Sequence, residues 1–158
     1  MDTNPSRQDG QGPPADVRMI RLEQRLDASA ERVFRAWADP EELARWLPER
    51  IEGGLAVGAR TVLLWSGERV WWDVLESTPS STFVFRRPWT PDERLVTTVR
   101  ITVRSIGYGS RVDLEDGPFP LGDAAGLDAW AAAIQAWSQA LAMLRAHLDY
   151  SVDVRPRR

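Results

Sequence analysis

The chain has 158 residues, 43% of them hydrophobic and 27% charged, with a formal net charge of -3. That length suits one domain around one core, and the acidic excess argues against a general polyanion binder and against nucleic acid as a partner. Cysteine is absent, which excludes disulfides and thiolate chemistry and fits a cytoplasmic location.

All 20 basic residues are arginine. Schiff-base chemistry through lysine is therefore excluded, while an arginine stays charged when partly buried and can orient an acidic ligand. Eight tryptophans accompany only four phenylalanines and two tyrosines. Each brings a large flat apolar surface and one N–H donor, so the excess points to an aromatic interior that either packs solid or lines a pocket. No apolar run follows the first basic residue, so no signal peptide is expected. No stretch approaches the ~20 apolar residues that span a bilayer, so no membrane contact is expected.

Residues 1–16 are rich in Gly, Pro, Gln and Asp and read as a disordered arm. Val17 to Leu26 then alternates, with Ile20, Leu22 and Leu26 against Arg21, Glu23 and Arg25, which predicts a first strand. Ser29 is placed to cap a helix over Ala30 to Ala38 that carries Val33, Phe34 and Trp37 at helical spacing. Asp39-Pro40-Glu41-Glu42 is a stronger start signal, with a capping Asp, Pro at the first helical position and Glu in the capping-box position. That second short helix buries Leu43, Trp46 and Leu47 and ends by Pro48.

Strands are predicted over Arg60 to Trp65, Arg69 to Glu76, Thr82 to Arg87, Leu95 to Arg104 and Arg111 to Glu115. Turns at Ser66-Gly67-Glu68, Pro79-Ser80-Ser81 and Gly107-Tyr108-Gly109 separate them. Val99, Ile101 and Val103 share one face. Val70 to Leu75 is apolar on both faces, and its inward set stays open. A loop is expected from Asp116 to Gly126. Beyond it, Trp130, Ile134, Trp137, Leu141, Leu144 and Leu148 step by four and three along one stripe of a long helix. Strand, two helices, a strand meander and one long helix give an α+β fold spanning 17–150, with a short tail over 151–158.

Three stretches carry a resemblance. Ser29-Ala30-Glu31-Arg32-Val33-Phe34-Arg35-Ala36-Trp37-Ala38-Asp39-Pro40-Glu41-Glu42-Leu43-Ala44-Arg45-Trp46 resembles the opening signature of the START/Bet v 1-like (SRPBCC) superfamily, in the branch related to the activator of Hsp90 ATPase. Val74-Leu75-Glu76, Pro79 and Phe83-Val84-Phe85 resemble that branch's central hairpin, and Trp137, Leu141, Leu144, His147 and Leu148 its C-terminal helix. The resemblance covers roughly Val17 to Asp149. It implies a helix-grip fold: a curved antiparallel sheet of six to seven strands with the long helix across its concave face. It also implies a hydrophobic ligand between the two; some members cyclise or dehydrate polyketides and others bind partner proteins. Leu47, Ala136 and Asp116 depart from the pattern, Asp116 standing where the branch often has His.

One His and no Cys cannot assemble a zinc site of the usual ligands, no carboxylate spacing resembles a calcium loop, and no cofactor is implied. His147 reads as a helix-terminal residue facing the dipole. No nucleophile motif is present, the 107–109 turn leads into no helix that would make it a phosphate loop, and Arg155-Pro156-Arg157-Arg158 reads as a solvated end. Catalysis is not established by any motif. The candidates for proton handling are Asp73, Arg87 and Tyr108: Asp73 if it faces the interior, and Arg87 because it alternates with Phe83 and Phe85 and so can pair with Asp73 or an anionic ligand. Glu76 reads as structural. The candidate ligand-binding set is Trp46, Trp65, Trp72, Phe85, Trp89, Trp130, Trp137 and Leu141. The expected partner is a small hydrophobic or aromatic molecule; a polyketide cyclase-like enzyme and a chaperone-binding module are the alternatives.

Overall fold

The computed structural model describes residues 16–156, so the arm expected at the N-terminus lies, but for Asp16, outside the described residues. The elements are β1 (Val17–Leu26), α1 (Ala30–Ala38), α2 (Pro40–Leu43), β2 (Arg50–Glu52), β3 (Arg60–Trp65), β4 (Glu68–Thr78), β5 (Thr82–Pro88), β6 (Val96–Ile106), β7 (Gly109–Pro120) and α3 (Ala124–Tyr150). The strands form one antiparallel seven-stranded sheet in the order β1-β7-β6-β5-β4-β3-β2. Strands β2 to β7 are a simple meander, and β1 joins its far edge beside β7. The α1–α2 hook therefore carries the chain from one edge of the sheet to the other.

Local chemistry sets the hook. Ser29 Oγ accepts from Arg32 N at 3.2 Å, and Asp39 Oδ1 accepts from Glu41 N at 2.9 Å and Glu42 N at 3.3 Å. Both caps satisfy N–H groups that a helix start leaves unpaired. Alternation sets the sheet: Phe83 and Phe85 of β5, Val99, Ile101 and Val103 of β6, and Val112 and Leu114 of β7 are all buried. On β4 the inward set is Trp72 and Val74, which puts Trp71, Asp73 and the exposed Leu75 on the other face.

Three features depart from expectation. A short strand, β2, follows the hook and pairs with β3. β7 runs through the stretch expected as a loop: Asp116 pairs with Ile20, and after a register shift Phe119 and Pro120 pair with Arg18 and Val17. The inward alternation Val112, Leu114, Asp116 continues there, and buried Phe119 extends it beyond the shift. Third, the apolar stripe of α3 is partly rotated. Trp137, Leu141, Leu144 and Leu148 are buried as expected, but in the first half Ala129, Ala133 and then Ala140 take the buried positions while Trp130 and Ile134 are half-buried. Small side chains let the helix approach the sheet closely, and the bulky ones lie along its flank.

The helix is fixed at both ends. Asp123 Oδ1 caps its start through Gly126 N at 2.7 Å. At its end the Asp149 carboxylate accepts Asp27 N at 2.9 Å and Ala28 N at 3.1 Å from the β1–α1 turn. The tail is not wholly solvated, because Arg155 donates to Ala44 O at 2.8 Å and Pro48 O at 2.7 Å and so ties the tail to the hook.

A Cβ on Gly126 would lie 1.7 Å from Pro120 O, a contact that backbone must move to relieve. Gly126→Ala should therefore cost roughly 1–3 kcal/mol and lower the thermal midpoint by several degrees. Gly54→Ala, at an open position without positive φ, should change it little. Equal midpoints for the two variants in a thermal melt would refute the tight contact.

Candidate functional site

The interior between sheet and α3 is a chain of aromatic rings. Trp72 stacks on Phe85 at 3.8 Å between centroids, Phe85 meets Trp137 at 6.3 Å, and Trp137 meets Trp89 at 6.3 Å and Trp37 at 6.2 Å. Trp37 meets Trp46 edge-on at 4.9 Å, and Phe119 lies 6.0 Å from Trp89. Of the candidate ligand-binding residues, Trp46, Trp72, Phe85, Trp89 and Trp137 join this chain, and Leu141 is buried on the same helix. Trp65 and Trp130 make no ring contact with it among the described residues; Trp65 instead donates its indole N–H to Leu47 O at 2.8 Å.

One end of the chain of rings is polar. Asp116 is fully buried. Its Oδ1 accepts the Thr97 hydroxyl and its Oδ2 accepts Trp137 Nε1 at 2.8 Å, while Thr97 Oγ1 accepts Trp89 Nε1 at 2.8 Å. Burial raises the Asp116 pKa above the ordinary carboxylate value, opposed by these donors and by Arg87. Arg87 lies with its guanidinium carbon 3.5 Å from the Trp89 ring centroid and 6.0 Å from that of Trp137. Burial pulls its pKa down to about 10, with Asp116 opposing the shift.

The proton-handling candidates separate. Arg87 points inward as its alternation with Phe83 and Phe85 implies. Its charged neighbour is Asp116, not Asp73. Asp73 faces outward because β4 turns Trp72 and Val74 in, and Arg60 grips it through two bonds of 2.7 and 2.8 Å. That guanidinium holds the Asp73 carboxyl below its usual range, so Asp73 is a surface ion-pair partner and not an interior acid. Tyr108 is fully exposed at the β6–β7 turn, far from any enclosed chemistry. Glu76 lies 3.9 Å from Arg100 on the sheet surface. His147, in the last turn of α3, is half-buried, and burial lowers its pKa.

Trp37, Thr97, Asp116 and Phe119 are the site residues that sequence reasoning left out. Thr97 continues the inward face of Val99, Ile101 and Val103. Asp116 continues that of Val112 and Leu114, a signal lost once a loop was expected to begin there.

Among the described residues, depressions of about 240 to about 500 Å³ lie at the surface, and none of these is lined by a ring of the aromatic chain. The smallest, about 240 Å³, is lined by Thr90, Arg94 and Leu95 of the β5–β6 connection with Pro120 and the start of α3. Trp89 and Phe119, which precede Thr90 and Pro120 in the chain, are not part of that lining, whose carboxylates are Asp92 and Asp123. Among the described residues no group of three or more His, Cys, Asp or Glu is placed to hold a metal, and no helix is long and apolar enough to cross a membrane.

A seven-stranded antiparallel sheet gripped by one long C-terminal helix, with a two-helix hook after the first strand, defines a helix-grip protein of the START/Bet v 1-like class. Residues 27–149 match the family model described as activator of Hsp90 ATPase homolog 1-like protein, and the chain belongs to that family. Solved structures agree on the fold. Protein MLL2253 of Mesorhizobium loti has a TM-score of 0.74 at 22% identity, covering 85% of this chain and 99% of its own. The Aha1 dimer of Colwellia psychrerythraea has 0.73 at 18%, covering 83% and 96%. DynU16, a protein of the dynemicin biosynthetic locus, has 0.72 at 18%, covering 87% of this chain and 49% of its own. No curated protein matches the sequence.

The raised pKa of Asp116 sets a pH dependence. Between the unfolded value, about 3.9, and the raised folded value, the native state binds more protons than the unfolded state. The contribution of Asp116 to stability therefore falls as pH rises through that window and is flat above it. Asp116→Asn removes this contribution, so the variant should gain stability relative to wild type as pH rises from about 4. Parallel urea titrations read the difference, and a difference constant with pH would show that Asp116 is not perturbed.

Proposed function

We propose that the protein binds a small hydrophobic, aromatic-containing molecule between the sheet and α3. The observation that carries this reading is buried donor capacity without acceptors. The indole N–H groups of Trp37 and Trp72 are enclosed by the aromatic interior and meet no hydrogen-bond partner among the described residues. Within the ring chain the other indoles are satisfied, since Trp46 donates to Ala36 O at 2.9 Å and Trp89 and Trp137 join the Asp116 network, while Trp71 and Trp130, half-buried outside the chain, are unpartnered too. A buried donor left unpaired costs roughly 1–3 kcal/mol, and native interiors rarely carry two without a reason. An acceptor group on a bound aromatic molecule supplies that reason. A flat guest would have to part rings that now touch, since a close-packed interior holds no ready space for it.

A second reading, chemistry on the bound molecule, is favoured by Asp116. It is a buried carboxyl with a raised pKa beside an arginine, the setting in which a carboxyl serves as general acid or base. Likeness to a protein of a biosynthetic locus is compatible with a polyketide cyclase-like role. The chaperone-facing alternative draws support from the family's description. The exposed large apolar side chains, such as Val17, Leu75, Tyr108, Leu127 and Val152, are spread over separate elements.

The test is native mass spectrometry of the purified protein followed by identification of whatever denaturation releases. The expected result is a small aromatic-containing molecule. Re-addition should shift the indole N–H resonances of Trp37 and Trp72 downfield as they gain an acceptor, and leave that of Trp65 in place. A guest that binds without moving those two resonances would place the site elsewhere, and no guest from any aromatic panel would sink the reading.

A further inference from the structure

We infer that the groove between the α1–α2 hook and the end of α3 binds a small molecule bearing a phosphate or diphosphate group, and that Arg32 and Arg35 hold it. No ring of the aromatic chain lines this groove, so the site is separate from the interior and does not depend on the reading above.

The groove is a depression of about 410 Å³ at which three segments of the chain converge. Arg32 and Arg35 come from α1, Glu42 and Arg45 from α2 and the turn after it, and His147 and Asp153 from the end of α3 and the tail. Arg32 and Arg35 are three residues apart, so one face of α1 carries both. Their guanidinium groups are exposed and make no hydrogen bond or ion pair among the described residues. Arg21, Arg60, Arg69 and Arg111 behave differently, each meeting a carboxylate within 3.0 Å. Local partners exist for Arg35, because Glu31 and Asp39 lie four residues to either side of it. Glu31 stays apart from it, and Asp39 is committed to the start of α2.

The carboxylates at the groove already have their own cations. Glu42 takes Arg45 at 3.1 Å, and Asp153 takes Arg155 at 2.7 Å, the arginine that ties the tail to the hook. The charge left uncompensated is that of Arg32 and Arg35. The partial negative charge at the end of α3 offsets some of it, although Ala146 O, an acceptor of the last turn, is already shared by Ser151 N and Val152 N. His147 stands in this field. Burial is the main cause of its lowered pKa, Arg45 and Arg32 push it the same way, and Glu42 and Asp153 push it back. The net charge of -3 over the whole chain makes this positive ground local. One guanidinium fork serves a planar carboxylate. Two forks one helical turn apart reach an anion from different directions, which suits the oxygens of a tetrahedral phosphate. The rest of the groove leaves room for an organic body.

The test uses His147, the one histidine of the chain, whose imidazole resonances identify themselves. Pyrophosphate and citrate are titrated into the full chain at matched ionic strength. The pKa of His147 is expected to rise with pyrophosphate, since a bound anion stabilises the imidazolium. Pyrophosphate should bind about tenfold more tightly than citrate. Arg32→Gln with Arg35→Gln should weaken pyrophosphate about tenfold or more. Gln keeps good helix propensity at both exposed positions, and unchanged indole dispersion checks the fold; should the pair unfold, Arg35→Gln alone is expected to show part of the loss. Arg18→Gln with Arg25→Gln removes two β1 arginines that likewise make no ion pair among the described residues, and should leave the affinity unchanged. Equal loss in the two double variants would reduce the effect to overall charge and overturn the site. Equal affinity for citrate and pyrophosphate would overturn the phosphate assignment, and a His147 resonance that no anion moves would overturn the groove itself.

Discussion

The grip of α3 on the sheet turns on one buried carboxylate. Asp116 lies at the end of β7, takes a hydroxyl from β6 through Thr97, and takes the Trp137 indole from the helix. The strands are joined by their own ladder, but α3 otherwise meets them through apolar contact, which is strong but indifferent to register. A carboxylate with two directional partners is not indifferent, since a shift of one helical turn would leave a buried oxygen without a donor. The polar bond thereby selects one arrangement among many that would bury similar area.

That selection has a chemical by-product. Holding Asp116 in place orders Trp137 and, through Thr97, Trp89, and the Trp89 ring in turn supports Arg87. Packing and polarity share the same side chains at this end of the molecule. The opposite stretch of the interior, around Trp72 and Phe85, is almost purely aromatic. A guest lying along this axis would find one end graded toward charge and the other toward stacking.

Much of the fold was legible in the chain because its signals are local. Caps at Ser29 and Asp39, alternation in β1 and β6, and the four-three spacing of the last helix each follow from a few neighbouring residues. What escaped was set by distant partners. β2 is three residues long and exists because β3 is there to pair with it. The end of β7 holds Gly117 and Pro118, turn residues by composition, yet pairing with β1 carries the strand past them. The site was half legible for the same reason. Arg87 could be aimed from its alternation with Phe83 and Phe85. Asp73 stayed undecided because β4 is apolar on both faces, and only the three-dimensional arrangement assigns it to Arg60.

The two clamps on α3 bear on how the interior can open. At one end the backbone of Gly126 touches Pro120 with no space for even a methyl group; at the other, Asp149 is bonded to two successive backbone N–H groups of the β1–α1 turn. A beam fixed at both supports does not swing like a lid. On the ligand-binding proposal, opening would have to come from elsewhere, and the connection between β5 and β6, residues 89–95, is itself closed by Trp89 N bonded to Leu95 O at 2.8 Å and Leu95 N to Thr90 Oγ1 at 3.1 Å. Were a guest to enter as proposed, its rates of uptake and release would be set by how readily those few bonds break, and its affinity by the helix and sheet beneath them.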